Sequence, residues 1–215
     1  MTISKYWGVG GVILAGGKSL RMGEPKPFLK LNDEYFINRI YGTLSSVFES
    51  VIIVDADPTE RYQYLTKRVY ADVYKECGPL AGIHSAFIHT DTDLLFFASC
   101  DIPLITSTLV TRVLEAYSGC DAVIPRASDR IHPLCAIYHR HCLPKIDAYL
   151  KSGGRSINGF LKQIDPKFVE IEKDDVLGLS NINTPEQYRL VNQQRLGSRS
   201  RGLELTSRAT FFWQC

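Results

Sequence analysis

The chain alternates short apolar runs with longer segments whose apolar residues recur every three or four positions. The apolar runs predict strands, and the longer segments predict helices. The predicted strands cover residues 12–14, 51–54, 68–71, 94–98, 122–125, 134–138 and 168–171, and the predicted helices 35–48, 59–67, 79–89, 107–117, 143–151, 156–163 and 184–192. Run 94–98 has no polar residue, which is typical of a parallel strand covered on both faces. The alternation predicts an α/β fold with a mostly parallel central sheet between two helix layers.

The domain organisation follows from where this alternation stops. No repeat or linker divides residues 1–192, and 45% hydrophobic with 22% charged residues is ordinary for one globular domain. Residues 193–215 have no period in their first half and are rich in Ser, Gly and Arg. We therefore predict one domain over residues 1–192 and a disordered tail over residues 193–215.

Charge and hydropathy exclude two classes of partner. The formal charge of the chain is +2, but residues 195–215 contribute +3, so the preceding part carries −1. A body without basic excess argues against nucleic-acid binding. No apolar stretch approaches the ~20 residues needed to cross a bilayer, and the first residues lack a secretory signal pattern. The expectation is a cytoplasmic protein that binds neither nucleic acid nor membrane.

The cysteines and histidines predict neither disulfides nor a zinc site. The six cysteines include no C-x-x-C pair, as expected for reduced thiols inside a cell. His139 and His141 stand beside Cys142, but a two-residue spacing without a further ligand cluster is not typical of zinc sites.

The first predicted strand ends in a glycine loop. Ala15, Gly16 and Gly17 follow Leu14, and successive backbone N–H groups in such a loop can bind an anion. Arg21 and Lys26 stand shortly after the loop and could supply positive charge to phosphates. The loop alone is equally compatible with a tight turn beside solvated basic side chains, but the functional interpretation is a nucleotide site.

Two better-known phosphate-binding loops do not fit this spacing. In a P-loop the leading glycine would stand at position 12, which is Val12. In the dinucleotide fingerprint counted from Gly8, the third glycine would fall on Ile13.

Acidic residues follow the next three predicted strands. Asp55, Asp72 and Asp101 each come directly or shortly after one of them. Because open α/β sheets bind ligands beyond the carboxyl ends of their strands, these carboxylates are predicted to share one site with the glycine loop. Asp101 could hold Mg²⁺ bound to nucleotide phosphates, although an Asp ahead of Pro103 also fits a turn or a helix cap.

Several ordered motifs resemble those of the molybdenum cofactor guanylyltransferases, which are nucleotidyltransferases with a Rossmann-like, three-layer α/β/α fold. Their signature L-A-G-G-x-x-x-R-M-G-x-x-K matches Leu14-Ala15-Gly16-Gly17, Arg21-Met22-Gly23 and Lys26. The resemblance continues through Gly78-Pro79-Leu80-Ala81-Gly82-Ile83, Asp101-Ile102-Pro103 and Asn181-Ile182-Asn183-Thr184-Pro185, and it spans roughly residues 8–192.

The resemblance implies an Mg²⁺-dependent transfer of GMP from GTP to the phosphate of molybdenum-carrying molybdopterin. Pyrophosphate would leave, and the guanine dinucleotide form of the cofactor would be the product. GTP and the molybdopterin cofactor are then the small-molecule partners, with transient contacts to the proteins that donate or receive the cofactor.

The residues themselves and the resemblance together predict four groups of site residues, although Asp55 also fits a simple turn and Arg155 a solvated side chain. The catalytic residues are Arg21, Lys26 and Asp101, with Asp101 also the metal ligand. The nucleotide-binding residues are Leu14, Ala15, Gly16, Gly17, Lys26, Asp55, Asp72, Gly78, Leu80 and Asp101, and the acceptor-binding residues are Arg155, Asn181 and Asn183.

One departure from the family pattern leaves alternatives open. Lys26 follows Pro25, where the guanylyltransferases usually have an acidic residue. The alternatives are the related cytidylyltransferase, another small NTP-dependent nucleotidyltransferase, and a non-catalytic nucleotide-binding scaffold. The cytidylyltransferase loop usually reads L-A-A-G, so Gly16 favours guanine.

Overall fold

The computed structural model describes residue 6 and residues 8–16, 24–184 and 186–189 of the 215-residue chain. Eight of the ten strands in this part of the chain form one sheet, and the other two form a separate hairpin. The strands are β1 (Val9–Leu14), β2 (Lys30–Leu31), β3 (Glu34–Tyr35), β4 (Val51–Asp55), β5 (Val69–Ala71), β6 (Leu94–Ser99), β7 (Ala122–Ala127), β8 (Arg130–Ile131), β9 (Cys135–His139) and β10 (Pro166–Glu170).

The large sheet has the order β10-β7-β9-β6-β1-β4-β5, with β8 paired to β7. Strand β1 lies inside the sheet and runs parallel to both neighbours, from Val9 opposite Leu94 to Leu14 opposite Ser99 on the β6 side. Strand β9 runs antiparallel to β6 and β7, while β7 and β10 run parallel to each other. The carboxyl ends of β5, β4, β1 and β6 therefore meet at one edge of the sheet.

Helices cover both faces of the sheet, as the sequence predicts. They are α1 (Phe36–Val47), α2 (Pro79–Ile88), α3 (Ser107–Glu115), α4 (Leu143–Lys151), α5 (Ile157–Leu161) and α6 (Lys173–Val176). One core contains α1 and α3 with alternate strand residues such as Ile13 and Phe96. The other core contains α2, α4 and α5 with the intervening residues, such as Val12 and Phe97. Because successive strand residues point to opposite faces, these two cores define a three-layer α/β/α fold.

Three short elements were not predicted, and one predicted helix is wrong. The β2–β3 hairpin turns at Asn32 and Asp33, whose positive φ angles of 52° and 65° suit a two-residue hairpin loop. Strand β8 and helix α6 are also too short to produce a periodic signal. The segment at 59–67 forms only a 3₁₀ turn, Glu60–Tyr62, because Thr59 caps a single turn around the buried Tyr62. At the C-terminal end, residues 186–189 are helical.

Further 3₁₀ turns lie at Lys26–Phe28, Arg140–Cys142 and Leu177–Leu179. None of the helices in the described residues is long and apolar enough to span a bilayer. The predicted tail at residues 193–215 lies outside the described residues.

Candidate active site

Lys26, Asp101 and Asn183 come together at the edge of the sheet where β1 and β6 end. The Nζ atom of Lys26 lies 3.7 Å from Oδ2 of Asp101 and donates a hydrogen bond to Oδ1 of Asn183. The side chains of Lys26 and Asp101 are 20% and 18% exposed, so water screens this ion pair only partly. Three motifs that are far apart in the sequence thus meet at one point.

The Asp101 loop is fixed on both sides by short hydrogen bonds. The N–H of Cys100 donates to the carbonyl of Leu14 at 3.0 Å, and the N–H of Ile182 donates to the carbonyl of Asp101 at 2.8 Å. The Ser99 hydroxyl donates to Oδ1 of Asp101. The carboxylate is therefore oriented by its neighbours while Oδ2 faces Lys26.

Asn183 stands directly before a capped helical turn. The Oε1 atom of Gln187 accepts from the N–H groups of Asn183 and Thr184, and the Thr184 hydroxyl accepts from the N–H of Gln187 at 3.2 Å. This reciprocal pattern is a capping box. Ile182 is buried beside Phe36 and Leu104 and anchors the segment. This segment can therefore begin a capped helical turn and also contribute Asn183 to the site. Asn181 lies half-buried next to it.

The first part of the glycine loop packs against the end of β4. The N–H of Ala15 donates to the carbonyl of Val54 at 2.8 Å. A Cβ at Gly16 would lie 3.0 Å from the backbone nitrogen of Ala56, a tight contact that favours glycine here. The side chain of Leu14 belongs to the core. Gly17 and Arg21 lie outside the described residues, so their predicted roles stay predictions.

Asp55 is held rigidly at the end of β4. Its Oδ2 accepts from the Tyr62 hydroxyl at 2.6 Å, and its Oδ1 accepts from the N–H of Asp57 at 3.2 Å. Burial, followed by this contact with the carboxylate, raises the pKa of Tyr62, which therefore remains a proton donor. Tyr62 stacks on Phe28 at 5.2 Å, and the Arg61 guanidinium lies 3.4 Å from the centre of the same ring.

These side chains surround a pocket of about 280 Å³ beside the glycine loop. It is lined by Ala15, Pro25, Pro27, Phe28, Asp55, Asp57, Thr59, Arg61 and Tyr62. The sequence analysis identified only Ala15 and Asp55 of this set. Pro25 is a variable position of the glycine-loop signature, and the others come from segments without a recognisable motif.

Asp72 follows β5 and carries an unsatisfied acceptor. Within the described part of the chain, its buried Oδ1 has no hydrogen-bond partner. Burial, with a smaller contribution from Asp55, raises the pKa of Asp72 from 3.8 to about 6, and Lys75 opposes the shift. A buried carboxylate oxygen without a donor is costly, which makes this atom a candidate to receive a hydrogen bond from a ligand.

The Gly78 and Arg155 segments meet at the start of α2. Gly78 has φ +71° and ψ −168°, a conformation open essentially only to glycine, and a Cβ there would lie 3.7 Å from the carbonyl of Arg155. The side chain of Leu80 is buried in the core, so only its backbone can meet a ligand. The Arg155 guanidinium donates to the carbonyls of Leu150 and Gly154 at 3.0 and 2.8 Å and is otherwise exposed.

His132 is a residue near Asp101 that the sequence analysis left out. It is only 8% exposed, and its buried Nε2 has no partner in the described residues. Burial, then the charge of Arg130, lowers the pKa of His132 to about 4, while Asp101 opposes the shift. The imidazole is therefore neutral at pH 7.

Comparisons with known proteins identify the family of the chain. The family model for the MobA-like NTP transferase domain matches residues 11–166. A Clostridium perfringens protein named "Probable molybdenum cofactor guanylyltransferase" is 34% identical over 184 residues, which cover 82% of this chain and 92% of that protein. The "Molybdenum cofactor guanylyltransferase" of Vibrio campbellii is 33% identical over 179 residues, with 82% and 91% covered.

Solved structures show the same fold. A protein from Aquifex aeolicus matches with a TM-score of 0.71 and 32% identity, covering 81% of this chain and 93% of its own. Molybdopterin-guanine dinucleotide biosynthesis protein A from Archaeoglobus fulgidus matches with a TM-score of 0.76 over 87% of this chain and 99% of its own. At 23% sequence identity, this match is evidence for a shared fold alone.

Proposed function

The chain belongs to the family of MobA-like NTP transferase domains, and from this premise we propose that it transfers GMP from GTP to the terminal phosphate of molybdenum-carrying molybdopterin. The products are pyrophosphate and the guanine dinucleotide form of the cofactor. Relatives at about one-third identity that carry the guanylyltransferase name support the choice of substrates. The observation that carries the proposal is the meeting of Lys26, Asp101 and Asn183 at the sheet edge.

Lys26 is proposed to hold the phosphates of GTP. Its ammonium group rests against Asp101 and Asn183 at the site, so an arriving triphosphate can exchange one anionic partner for another. The backbone N–H groups of the glycine loop and the guanidinium of Arg21 are proposed to share the phosphate charge. Asn183 then keeps Lys26 oriented through its side-chain oxygen.

The residues present fit Mg²⁺. Asp101 offers a partly buried carboxylate that Ser99 orients, and Mg²⁺ typically uses one or two carboxylates together with phosphate oxygens. Asp101 is therefore proposed to hold Mg²⁺ bound to the nucleotide. When bound, the ion would offset the negative charge that develops on the phosphates.

The proposed reaction needs no covalent enzyme intermediate and no general base. An oxygen of the acceptor phosphate forms a bond to the α-phosphorus of GTP, and the bond from that phosphorus to the bridging oxygen of the β-phosphate breaks. Because the acceptor phosphate is already a nucleophile, the residues of this chain act by positioning and by charge neutralisation. Asn181, Asn183 and Arg155 are proposed to bind the acceptor, and proteins that donate or receive the cofactor are proposed as transient partners.

Asp55 and Asp72 are proposed to bind the nucleoside. Both carboxylates stand at strand ends, and the buried Oδ1 of Asp72 has no donor in the described residues. A guanine base offers N–H donors on one edge, and ribose offers hydroxyl donors. Asp55, which Tyr62 and Asp57 hold in place, provides a fixed acceptor for such groups.

Thermal unfolding with GTP, CTP, ATP and UTP, each with and without Mg²⁺, tests nucleotide choice. A nucleotide at 100 times its dissociation constant adds about 2.7 kcal/mol, or roughly 5–10 °C for a chain of this size. We expect stabilisation by GTP, a larger effect with Mg²⁺, and loss of the Mg²⁺-dependent part in Asp101→Asn. The control Asp91→Asn removes an exposed carboxylate at the far edge of the sheet.

Pyrophosphate release then tests the reaction itself. Release from GTP should require the molybdopterin acceptor and should fall at least 100-fold in Lys26→Ala. Stabilisation by CTP instead of GTP would overturn the base specificity. Stabilisation by a nucleotide without pyrophosphate release would favour a non-catalytic nucleotide-binding scaffold, and absence of both would overturn the proposed function.

A further inference from the structure

A cluster of possible metal ligands lies at the opposite edge of the sheet. Asp121 stands directly before β7, and His141 and Cys142 follow β9. Because β7 and β9 pair antiparallel, with Ala122 opposite Tyr138, the start of one strand lies beside the end of the other. Asp101 follows the far end of β6, about 20 Å away along a six-residue strand. The cluster is therefore separate from the candidate active site.

The geometry brings three different ligand types together. A carboxylate oxygen of Asp121, a ring nitrogen of His141 and the sulfur of Cys142 all lie within 4.8 Å of one another. Ligand atoms around a tetrahedral zinc ion, at about 2.0–2.3 Å from the metal, lie about 3.3–3.8 Å apart. A pair at the 4.8 Å limit would therefore have to close by about 1 Å, and the contacting His141 nitrogen and Asp121 oxygen would have to separate. His141 can make these adjustments because its side chain is 42% exposed, whereas Cys142 is buried.

Asp121 is already oriented for this role. Its Oδ2 accepts from the Lys145 ammonium and from the N–H of Asp165, both at 2.9 Å. Its Oδ1 faces Nε2 of His141. Ligating carboxylates in metal sites are commonly held in the same way, with one oxygen hydrogen-bonded and the other on the metal.

We propose that Asp121, His141 and Cys142 form a binding site for a single Zn²⁺ or a similar borderline-soft divalent ion. Sulfur, imidazole nitrogen and carboxylate oxygen are ligands of Zn²⁺, whereas Mg²⁺ prefers oxygen alone. The three protein ligands leave the fourth position to water. On binding, the Cys142 thiol loses its proton to solvent, and the ion replaces the direct contact between His141 and Asp121.

The consequence is structural rather than catalytic. The ion would tie the start of β7 to the turn after β9, at the side of the sheet where the antiparallel strand is inserted. A ligand that binds the folded state alone stabilises that state, so the melting temperature should respond to Zn²⁺. This inference does not depend on the proposed transferase activity.

The test uses tag-free full-length protein with a non-thiol reductant. Titration with Co²⁺, a spectroscopic substitute for Zn²⁺, should give thiolate-to-metal absorption and tetrahedral visible bands that saturate at one ion per chain. Zn²⁺ should displace Co²⁺ and raise the melting temperature by about 5–10 °C at 100 times its dissociation constant. Mg²⁺ should not displace Co²⁺.

Variants decide whether these three residues form the site. His141→Ala, at an exposed side chain, and Cys142→Ala should each abolish the Co²⁺ spectrum and the Zn²⁺-dependent shift. The matched control His89→Ala, an exposed histidine elsewhere, and the active-site variant Asp101→Asn should leave both unchanged. Absence of a saturable thiolate–Co²⁺ spectrum, or its retention in His141→Ala and Cys142→Ala, would overturn the proposal.

Discussion

Asp72→Asn should stabilise the protein at neutral pH while weakening nucleotide binding. Asp72 has a raised pKa of about 6, chiefly because burial disfavours its charged form, and its buried Oδ1 lacks a donor in the described residues. An unfolded chain would ionise this carboxyl near pH 3.9. The folded state therefore carries a penalty that is absent below about pH 4, grows between pH 4 and 6, and is complete above pH 6.

The magnitude follows from the two pKa values. A pKa difference of about 2 corresponds to about 3 kcal/mol at most, and partial exposure of the half-buried side chain reduces this to about 1–2 kcal/mol. The neutral amide of Asn removes the penalty. We expect Asp72→Asn to raise the free energy of unfolding by about 1–2 kcal/mol at pH 8 and by much less at pH 4.

Urea denaturation of wild type and Asp72→Asn, repeated between pH 4 and pH 8, measures this difference. Asp91→Asn is the matched control, because Asp91 is exposed at the other edge of the sheet and should show almost no pH-dependent gain. A stability difference for Asp72→Asn that does not change with pH would refute the reasoning. If Asp72 accepts a hydrogen bond from GTP, the same variant should also lose most of the GTP-dependent rise in melting temperature.

Two further substitutions test the backbone and the hydrogen bonds that shape the site. Gly78→Ala should cost about 1–3 kcal/mol of unfolding free energy by urea denaturation, because φ +71° with ψ −168° is strained for any other residue. Gly42→Ala, in helix α1 with open space around an added Cβ, should instead raise the free energy of unfolding by about 0.5–1 kcal/mol. The same change in stability for Gly78→Ala and Gly42→Ala would contradict the argument. Tyr62→Phe removes a hydrogen bond to the Asp55 carboxylate, so it should lower the free energy of unfolding by about 1–3 kcal/mol. It should also weaken GTP binding, which calorimetric titration can measure. The exposed Tyr64→Phe should change both quantities little.

The fold was largely predictable because its core elements have strong hydrophobic patterns. Every apolar run predicted as a strand overlaps a strand of the sheet, and the clearest runs belong to inner strands that are covered on both faces. An apolar run does not indicate whether its strand is parallel or antiparallel to its neighbours. β9 is antiparallel to its neighbours, yet its buried residues do not differ in type from those of parallel β6. Two-residue strands such as β2 and β8 are too short to leave any pattern.

The parts of the candidate site that lie at strand ends could be predicted from the sequence. The glycine loop, Asp55, Asp72 and Asp101 could be placed because each follows an apolar run. The contact of Lys26 with Asn183, 157 residues away, could not be derived from spacing. The sequence analysis considered His141 and Cys142 and predicted no zinc site, because Asp121 comes beside them only through the antiparallel pairing of β7 and β9.

The charges along the sheet edge indicate how a nucleotide would lie in the site. The strand order β6-β1-β4-β5 places Asp101, the glycine loop, Asp55 and Asp72 in sequence, over about 14 Å for three strand spacings. At the β6 end, Lys26 lies within 3.7 Å of Asp101, so phosphates and a cation can be accommodated together. At the β5 end, the charge of Asp55 contributes to the raised pKa of Asp72, so a phosphate there would add to the repulsion. We therefore propose that a ligand that is anionic at one end and rich in hydrogen-bond donors at the other lies with its phosphates at β1 and β6 and with its base and ribose at β4 and β5.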